Sequence, residues 1–493
     1  MNRAHSISPQ SSAGPGRSAT WGKYRRLQED FDGRIPVPPL PSLRKRFQAV
    51  LLAFFRPVSR ERREMNDRRR KLLPEHLRGP SQTMGRSHHS CGATYGLLER
   101  CNFACTSCYL GKGANATAAL SSEEVRHQLD TLRRFLGPQG KAQITAGEVT
   151  LLPVAVLGSY VRYAISIGLD PMVMTHGERF LGEPDYVRTL VEVYGLRKIS
   201  VHVDSTQRGR EGWHASVSES ELNGVRDRYA ALLRRVRRET RRTLHAAHTV
   251  TVTAANLDQI PDIVRWVARN ADAFRMVSFQ PVADVGRTED RSDPELSLES
   301  VWSRICAGLG RKLNPRAMLF GHPECNIVAP VVLLWCGEGL TVIETVRVGR
   351  RWDQGFLDRV MKRLGGFSTS GPHRLRTVAG FLGLSLRHLP LVVEAALYAL
   401  YRLWGLREEI GELVATLVRG QEIRLQPLAL IVHKFMNASE LATPVGQDRL
   451  TACVLKVPVG NEMISMCQLN ATGLRDQLYH SDISSEAFAA EGR

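Results

Sequence analysis

Residues 99–110, with the sequence ERCNFACTSCYL, place three cysteines on one short segment. Cys101, Cys105 and Cys108 follow a C-x3-C-x2-C spacing, and the preceding residues 93–98 have the composition of a β-strand. The cysteines are therefore predicted to lie on the loop that follows a strand. Ferredoxin-type iron–sulfur clusters take four cysteine thiolates. Three thiolates on one loop would hold such a cluster and leave one iron open to a small ligand.

A structural zinc site is the alternative interpretation of the same cysteines. It needs four ligands, and His88, His89 and Cys91 lie close enough upstream to complete one. Zinc ligands usually come as two pairs in the sequence, whereas these cysteines form a triad. The triad therefore favours the cluster, and zinc stays as the competing hypothesis.

The amino-acid composition indicates the class of protein, its redox compartment and the charge of its partners. The chain has 493 residues, of which 43% are hydrophobic and 24% charged, as in globular proteins with a large core. Nine cysteines without a secretory signal favour a reducing compartment, so we expect a cytoplasmic protein. The net charge of +18 predicts an acidic partner, either nucleic acid or an anionic membrane. Much of this charge lies in residues 60–71 and 234–242, and each run could equally be a solvated face.

Residues 1–85 form a basic, proline-containing extension whose first 18 residues have no apolar run and are predicted to be disordered. Residues 43–58, LRKRFQAVLLAFFRPV, place apolar side chains at helical spacing between arginines. This pattern predicts a short amphipathic helix, suited to a membrane interface or to packing on the core. It is too short to span a bilayer.

Residues 86–290 alternate strand-like and helix-like segments, which is typical of parallel β/α units. The predicted strands are residues 93–98, 142–145, 172–174, 198–203, 247–253 and 275–280. Ser121 and Glu124 predict a capped helix after the cysteine loop. Six units predict an α/β fold, a partial (β/α)6 TIM-like barrel. Active sites of parallel barrels lie at the carboxyl ends of the strands, and several polar residues fall there: Glu148, His176, Asp204, Asn256 and Gln280.

Residues 291–493 are predicted to form a mostly helical region that carries further cysteines. Residues 381–404 are an apolar helical stretch, but Arg387, Pro390 and Glu394 interrupt it, so we expect a buried or interfacial helix and no membrane span. Cys306 lies in an apolar-periodic helix and is expected in the core.

The combined pattern resembles the radical S-adenosylmethionine (SAM) superfamily over residues 91–287. The cysteine triad follows the first strand, and Ala146-Gly147-Glu148-Val149 stands after the second, where that family has Gly-Gly-Glu-Pro. The resemblance implies a [4Fe–4S] cluster on the triad, with SAM chelating the open iron. The residues that it implies for SAM binding lie at strand ends: Gly147, Glu148, Thr175, His176, Asp204, Asn256 and Gln280.

A narrower pattern is similar to tetraether lipid synthase-like enzymes, which join or modify lipid alkyl chains and carry extra clusters. It comprises residues 278–287, His322-Pro-Glu-Cys325, Cys453, Met466-Cys467 and Asn470. Phe320 and Gly321 occupy the stretch where that group has a further cysteine. The resemblance implies a possible auxiliary cluster on four cysteines: Cys325, Cys336, Cys453 and Cys467.

The function predicted from these resemblances is generation of a 5′-deoxyadenosyl radical that abstracts hydrogen from an unactivated carbon. A lipid substrate ranks before a peptide and an RNA, because it accounts for the apolar segments as well as the charge. The expected partners are a one-electron reductase of the flavodoxin or ferredoxin type and an anionic membrane surface or lipid, which would make the cytoplasmic protein peripherally membrane-associated. A non-catalytic, zinc-stabilised basic binding protein is the alternative from another class.

Overall fold

A single sheet of eleven strands organises the chain in the computed structural model, which describes residues 42–87, 90–145, 147–367 and 374–480. The strands are β1 (Cys91–Ala93), β2 (Lys141–Ile144), β3 (Asp170–Thr175), β4 (Lys198–His202), β5 (His245–Val252), β6 (Phe274–Pro281), β7 (Asn326–Cys336), β8 (Gly339–Glu344), β9 (Ile423–His433), β10 (Leu455–Val459) and β11 (Glu462–Ser465). Their order across the sheet is β11-β10-β1-β2-β3-β4-β5-β6-β9-β7-β8.

Seventeen α-helices occur in the described part of the chain. They are α1 (Leu43–Phe55), α2 (Arg60–Leu72), α3 (Ser122–Leu136), α4 (Val154–Ser166), α5 (Glu178–Gly182), α6 (Pro184–Glu192), α7 (Asn223–Thr240), α8 (Ile260–Arg269), α9 (Leu298–Leu309), α10 (Arg351–Leu364), α11 (Arg374–Arg387), α12 (Leu389–Gly405), α13 (Arg407–Val418), α14 (Ala438–Leu441), α15 (Pro444–Thr451), α16 (Met466–Ala471) and α17 (Leu474–His480). Short 3-10 turns lie at Glu75–Leu77, Val149–Leu151 and Leu257–Gln259.

Strands β1 to β6 are parallel and neighbour one another in chain order, with helices between them. Parallel strands need a long crossover, usually a helix, and the outward-facing residues of the strands are buried beneath those helices. Val201 and Val277 are examples, at 1% and 0% exposed. The sheet is mixed α/β and curls into a half-barrel. The carboxyl ends of β1 to β6 therefore share one edge, which is called the carboxyl edge below.

Five of the six predicted strands agree with the structure to within two residues at each end, and the first does not. Strand β1 covers residues 91–93, whereas residues 94–98 leave the sheet as a loop in which Leu98 bridges to Ala119. Gly96 and Leu97 carry that loop over helix α3, where Gln128 donates a hydrogen bond to the Gly96 carbonyl oxygen at 3.2 Å. The Ser121 hydroxyl caps α3 as predicted, accepting from the Glu124 amide at 3.1 Å.

The region after residue 290 extends the same sheet on both flanks. Strand β9 is parallel to β6, with β7 and β8 antiparallel beyond it, and β10 is parallel to β1, with β11 antiparallel. This region therefore adds five strands as well as helices. Its apolar stretch at residues 381–404 is not one helix, because α11 ends at Arg387 and α12 starts at Leu389.

The two basic runs are partly built into the fold. Residues 60–71 lie on α2, which buries Met65, Asn66 and Arg69. Residues 234–242 lie at the end of α7, where Arg234 pairs with Asp272 and Arg237 donates to backbone carbonyls of residues 244, 272 and 273. Part of this charge therefore serves bonding within the protein.

Candidate active site

The cysteine loop lies at the carboxyl edge, clamped between the segments that follow β4 and β6. On one side Ala104 and Thr106 donate backbone hydrogen bonds to the carbonyls of Arg208 and Thr206, at 2.8 and 2.9 Å. On the other side the Arg287 amide donates to the Leu110 carbonyl at 2.8 Å. Backbone bonds of this kind fix where the three cysteines point before any ligand binds.

Cys101 and Cys105 sit in a setting that disfavours free thiolates. Burial raises the pKa of Cys101 to about 12, and the nearby Glu148 carboxylate adds to that. Burial also raises the pKa of Cys105 well above its usual range, together with the proximity of the other two cysteines. Thiolate is the ligand form of cysteine, and three buried thiolates repel one another. A cationic centre is therefore what would make this arrangement stable with all three thiols deprotonated.

The spacing of the thiols separates the two metal hypotheses. Zinc–sulfur bonds of about 2.3 Å in a tetrahedron bring ligand sulfurs to within roughly 4 Å of each other. Within the described ranges, the triad is not among the groups whose ligand atoms all lie within 4.8 Å. Cys91, proposed as a further zinc ligand, lies in β1 beside Lys141, at the opposite edge of the sheet. His88 and His89 lie outside the described residues. The donor set thus fits a polynuclear cluster better than one ion.

One group in the described chain does meet the single-ion distance: His76, His322 and Asp448. The Nε2 atoms of both histidines approach the same Asp448 oxygen, at 3.0 and 3.3 Å. His322 Nδ1, however, accepts a hydrogen bond from the Glu324 amide. Because a neutral imidazole carries one proton, His322 Nε2 holds it and donates it to Asp448. The contact is therefore a hydrogen-bonded link between three segments of the protein.

Arg287 is a residue of this site that the sequence analysis did not assign a role. Its Nε donates to Cys108 Sγ at 3.3 Å, and its Nη2 donates to the Phe103 carbonyl at 3.2 Å. Burial opposes its charge, yet the attraction of the Cys108 sulfur raises the pKa of Arg287. A cation beside a ligand sulfur stabilises negative charge there. Arg287 lies in the loop that follows β6, which ends at Pro281. A basic residue in a loop after a barrel strand is the sequence feature that could have pointed to it.

Gly147 brings the second strand's loop against the cysteine loop. Its amide donates to the Leu98 carbonyl at 2.9 Å, and the Glu148 amide donates to the Arg100 carbonyl at 2.8 Å. A Cβ at residue 147 would lie 2.2 Å from the Arg100 oxygen. This backbone contact needs glycine, and it lies immediately before Cys101.

The Glu148 carboxylate is buried and accepts four hydrogen bonds from the protein. The donors are the Thr150 amide and hydroxyl, the Thr175 hydroxyl and the His176 amide. The resemblance implied that Glu148 and Thr175 contact SAM directly. In the structure these two side chains bind each other and hold the ends of β2 and β3 together.

His176 connects the end of β3 to the cysteine loop. Its ring stacks on Phe103 with centroids 3.8 Å apart, and its Nε2 lies 2.9 Å from Asn102 Oδ1. Burial lowers the pKa of His176 to about 4, so the imidazole is neutral near pH 7. Nδ1 accepts from the Glu178 amide at 3.2 Å, and Nε2 therefore carries the proton that it donates to Asn102.

Asp204 and Asn256 order the ends of β4 and β5. Burial works against ionised Asp204, but His202 and the donors Thr206 and Thr251 outweigh it and hold the pKa of that carboxyl well below its usual range. Asn256 donates to Glu219 at 2.9 Å and accepts from the Thr253 amide at 2.9 Å. Both side chains form hydrogen bonds inside the protein at the carboxyl edge.

Gln280 differs from the other predicted site residues because it is half-buried on the inner face of the sheet. Side chains two residues apart share a face, so Met276, Ser278 and Gln280 point inward and Val277 and Phe279 point toward the helices. Within the described part of the chain, the side-chain amide of Gln280 has no hydrogen-bond partner, although its backbone pairs with β5. It is the predicted cofactor residue with a side chain available to a ligand.

The inner face of the half-barrel has a polar side and an apolar side. Register across β4 and β5 aligns hydroxyl and imidazole side chains, namely Ser200, His202, Thr249 and Thr251. Register across β6, β9 and β7 aligns apolar side chains of intermediate burial: Met276, Ala429, Ile431, Val328, Pro330 and Val332. Apolar residues that remain partly exposed inside a half-barrel give an apolar ligand a surface to contact.

The structure assembles three of the four cysteines that were expected to form an auxiliary cluster. Cys325 precedes β7, Cys453 precedes β10 and Cys467 is in α16; Coulombic interactions link the three thiols. Cys336 ends β7, eleven residues after Cys325, which at about 3.3 Å per residue is roughly 35 Å away. The four-cysteine grouping therefore does not form, because an extended strand separates two of its members.

The three remaining thiols resemble the first triad in their surroundings. Burial raises the pKa of Cys325 to about 11 and that of Cys467 to about 12. Arg449 donates from Nε to Cys325 Sγ at 3.2 Å, as Arg287 does to Cys108. Cys306 lies in α9, where its sulfur accepts from the Leu313 amide, in agreement with a core role.

Comparison with known proteins finds one curated relative and a solved structure that are similar to parts of this chain. No protein-family model matches the chain. The 7,8-dihydro-6-hydroxymethylpterin dimethyltransferase of Methanocaldococcus jannaschii is 24% identical over 330 residues, covering 60% of this chain and 61% of that protein. The chain thus spans about three fifths of the length of this curated relative. A solved structure of hexahistidine-tagged anSMEcpe with bound AdoMet aligns with 40% of this chain and 52% of its own, at 11% identity and a TM-score of 0.28.

Proposed function

We propose that this protein is a radical SAM enzyme, with a [4Fe–4S] cluster on Cys101, Cys105 and Cys108 and a partial (β/α)6 barrel around its substrate. The observation that carries the proposal is the clamped three-cysteine loop at the carboxyl edge of six parallel strands. At least one pair of these sulfurs lies more than 4.8 Å apart, and the Gly147 backbone lies directly against the loop. The Methanocaldococcus relative is named a dimethyltransferase, which supports an enzyme and leaves the substrate of this chain open.

A [4Fe–4S] cluster held by these three cysteines, with SAM bound and one electron from a flavodoxin- or ferredoxin-type reductase, would supply reductive cleavage of SAM and the radical that abstracts hydrogen from the substrate. The protein's own groups position the reactants. The pair Asn102 and His176 holds the loop, and Arg287 stabilises negative charge at Cys108. Gln280 faces the interior next to this edge and is available to a polar group of SAM.

The substrate that we favour is a lipid alkyl chain. The apolar inner face on β6, β9 and β7 suits a chain of methylene groups, and burying each methylene is worth about 0.8 kcal/mol. The carbons of such a chain lack activating groups, so their C–H bonds require a radical for hydrogen abstraction. A peptide or an RNA would present polar groups for which this apolar face has few partners.

We include a second iron–sulfur cluster in the proposal, on Cys325, Cys453 and Cys467. The support is the convergence of the buried thiols of Cys325 and Cys467 with the half-buried Cys453, and the Arg449 guanidinium beside Cys325. A cluster there would serve as an electron relay or would bind part of the substrate.

Anaerobic reconstitution with iron and sulfide tests the cofactor assignment. Wild type should bind iron and sulfide with the broad visible absorption of clusters, and dithionite-reduced protein should convert SAM to 5′-deoxyadenosine. Cys105→Ala should lose this cleavage, and Cys306→Ala serves as the matched control because its thiol lies in α9. Stoichiometric zinc in a colourless protein would instead establish the non-catalytic alternative.

Deuterium transfer tests the substrate class. The reconstituted enzyme is incubated with SAM and lipids that carry fully deuterated alkyl chains, and 5′-deoxyadenosine is analysed by mass spectrometry. Hydrogen abstraction from the chain should place deuterium in 5′-deoxyadenosine. SAM cleavage without deuterium incorporation would retain the radical enzyme and reject the lipid chain as the reacting group.

A further inference from the structure

The helices α1, α11, α12 and α13 expose a continuous set of large apolar side chains, which we call the apolar platform. The exposed residues are Leu43, Phe47, Leu51, Leu52 and Phe55 on α1; Leu375, Val378, Phe381, Leu382 and Leu386 on α11; Leu389, Val392, Val393, Leu397, Leu400, Leu403 and Trp404 on α12; and Ile410, Val414, Leu417 and Val418 on α13. Most are more than half exposed. A concentration of this kind marks an interaction surface.

Helix α12 is the centre of the platform. Its 17 residues, LPLVVEAALYALYRLWG, include no buried residue, although the sequence is apolar around most of its circumference. Trp404 is 75% exposed and Leu400 is 63% exposed. A helix that is apolar on all sides is ordinarily buried in a large core or in lipid. The protein covers one face of this one, where Tyr398 and Tyr401 pack on Trp352, and leaves the rest exposed.

The platform joins two helices, α1 and α11, that lie more than 300 residues apart in the sequence. Arg387, the last residue of α11, donates from its guanidinium to the Phe54 and Phe55 carbonyl oxygens at 3.1 and 2.9 Å, which caps the end of α1. A Cβ at Gly383 would lie 2.0 Å from the Phe54 oxygen. The two helices therefore meet through their backbones, and α1 is held in the same surface as α11.

The shape of α11 and α12 suits a helix pair that lies in one leaflet. No single helix among the described residues is both long and apolar enough to cross a membrane; α11 and α12 have that length and composition only as a pair, and they meet at 99°. A bend of that size at His388 turns the second helix away from the axis of the first. The pair would therefore run along a bilayer surface.

Positive charge surrounds the apolar side chains. Residues 43–56 contain four basic residues and no acidic one. Arg56, Arg407 and Arg419 are exposed near ends of the platform helices, while Glu408 and Glu412 are exposed beside Arg407 on α13, so the excess of positive charge lies around α1. Basic residues near an anionic membrane gain about 1 kcal/mol each, and apolar side chains gain by entering the acyl region. The two features together match an anionic lipid bilayer, with headgroups at the arginines and acyl chains around α12.

We propose that the apolar platform is a membrane-docking surface by which α12 inserts into one leaflet of an anionic bilayer. A bilayer fits better than a second protein because α12 exposes apolar side chains in many directions. Fluid acyl chains can surround a helix on several sides, whereas a folded partner covers one. The inference does not depend on the cluster chemistry, since none of the platform residues lies at the carboxyl edge.

Flotation of the reconstituted full chain with lipid vesicles tests this proposal. One vesicle set contains phosphatidylcholine alone, and the other also contains phosphatidylglycerol. We expect binding to the second set that weakens as salt is added. Val393→Glu and Leu400→Glu should each weaken binding at least about tenfold, because each replaces an inserted apolar group. Val193→Glu is the matched control: Val193 is 52% exposed at the end of α6, in the barrel.

Tryptophan fluorescence gives a second readout of docking. It detects insertion of the wild-type protein directly, even if no substitution weakens binding. The emission should shift to shorter wavelength when anionic vesicles are added, and Trp404→Phe should remove most of the shift. Platform variants that bind as wild type does, or a shift that survives Trp404→Phe, would overturn the proposal. A wild-type chain that ignores vesicles and forms dimers lost in Leu400→Glu would also overturn it, in favour of a second copy as the occupant. SAM cleavage, measured in parallel without lipid, reports separately on the proposed function.

Discussion

Replacing Gly147 by alanine should disable the cysteine loop without touching a cysteine. The new methyl group would lie 2.2 Å from the Arg100 carbonyl oxygen, 2.6 Å from its carbonyl carbon and 3.0 Å from its nitrogen. All three are backbone atoms, so no side-chain rotation relieves the overlap. The residue after Arg100 is Cys101, and any shift of the backbone there moves the first ligand.

The size of the effect follows from two terms. Overpacking of a well-packed site costs about 1–3 kcal/mol, and the hydrogen bonds from the Gly147 and Glu148 amides contribute about 1 kcal/mol each. Relief of the overlap must weaken at least one of these bonds. We therefore expect a destabilisation of about 2–4 kcal/mol, which lowers the Tm of a barrel of this size by roughly 10 °C.

The assay compares Gly147→Ala with Gly79→Ala, anaerobically and on the same day's reconstitution. A Cβ at Gly79 meets nothing within 4 Å, so this variant reports on loss of a glycine without steric overlap. Gly147→Ala should show the lower Tm, reduced iron per chain and little 5′-deoxyadenosine, whereas Gly79→Ala should match wild type. Equal iron content and equal Tm in the two variants would refute the conclusion that the loops contact rigidly.

Three further outcomes follow from charges elsewhere in the barrel. Arg226→Met leaves the Glu219 carboxylate buried and unpaired, because both side chains are at most 1% exposed; thermal unfolding should show a loss of about 3–5 kcal/mol. Arg287→Met removes the cation beside Cys108, so the cluster should have a more negative reduction potential in a redox titration monitored by electron paramagnetic resonance. Burial, with nearby arginines and Lys198, lowers the pKa of His245 to about 4 in the folded protein. The unfolded chain binds that proton from about pH 6.5 downward, so Tm should fall between pH 6.5 and 4 and stay level above 6.5.

Each of these outcomes has a contrary result. An Arg226→Met chain as stable as wild type would mean that Glu219 finds another partner, and an unchanged potential in Arg287→Met would separate the guanidinium from the cluster. His245→Gln should flatten part of the acid-side slope; an identical slope would assign the pH dependence to other groups.

The strand pattern could be predicted from the sequence because a buried parallel strand has few ways to satisfy its backbone and side chains. Alternating and apolar runs located β2 to β6 to within two residues at each end. The first strand was misplaced because residues 94–98 are as apolar as a strand, yet after Thr94, whose amide still bonds to Gln143 of β2, their hydrogen bonds go to residues 119 and 120, to Gly147 and to α3. Local composition does not distinguish those partners.

For the candidate site, the positions of the residues could be predicted from the sequence, but their hydrogen-bond partners could not. The positions of Glu148, His176, Asp204 and Asn256 at strand ends were predictable, since a parallel sheet brings those ends together. Their hydrogen-bond partners were not, and the structure turns these side chains inward to hold the loops. A carboxylate at a strand end has the same sequence signal whether it binds a ligand or accepts hydrogen bonds from four donors of its own protein.

The sequence by itself determined the chemistry that is available: three cysteines on one loop, a glycine against it, and a parallel barrel that gathers strand ends at one edge. Only the tertiary structure decided which distant residues join them. It brings Cys325, Cys453 and Cys467 together, separates Cys336 from them along β7, and joins α1 to α11 as one apolar platform. The physical reason is that local periodicity fixes the type of element, whereas contacts between residues hundreds of positions apart depend on how the whole chain packs.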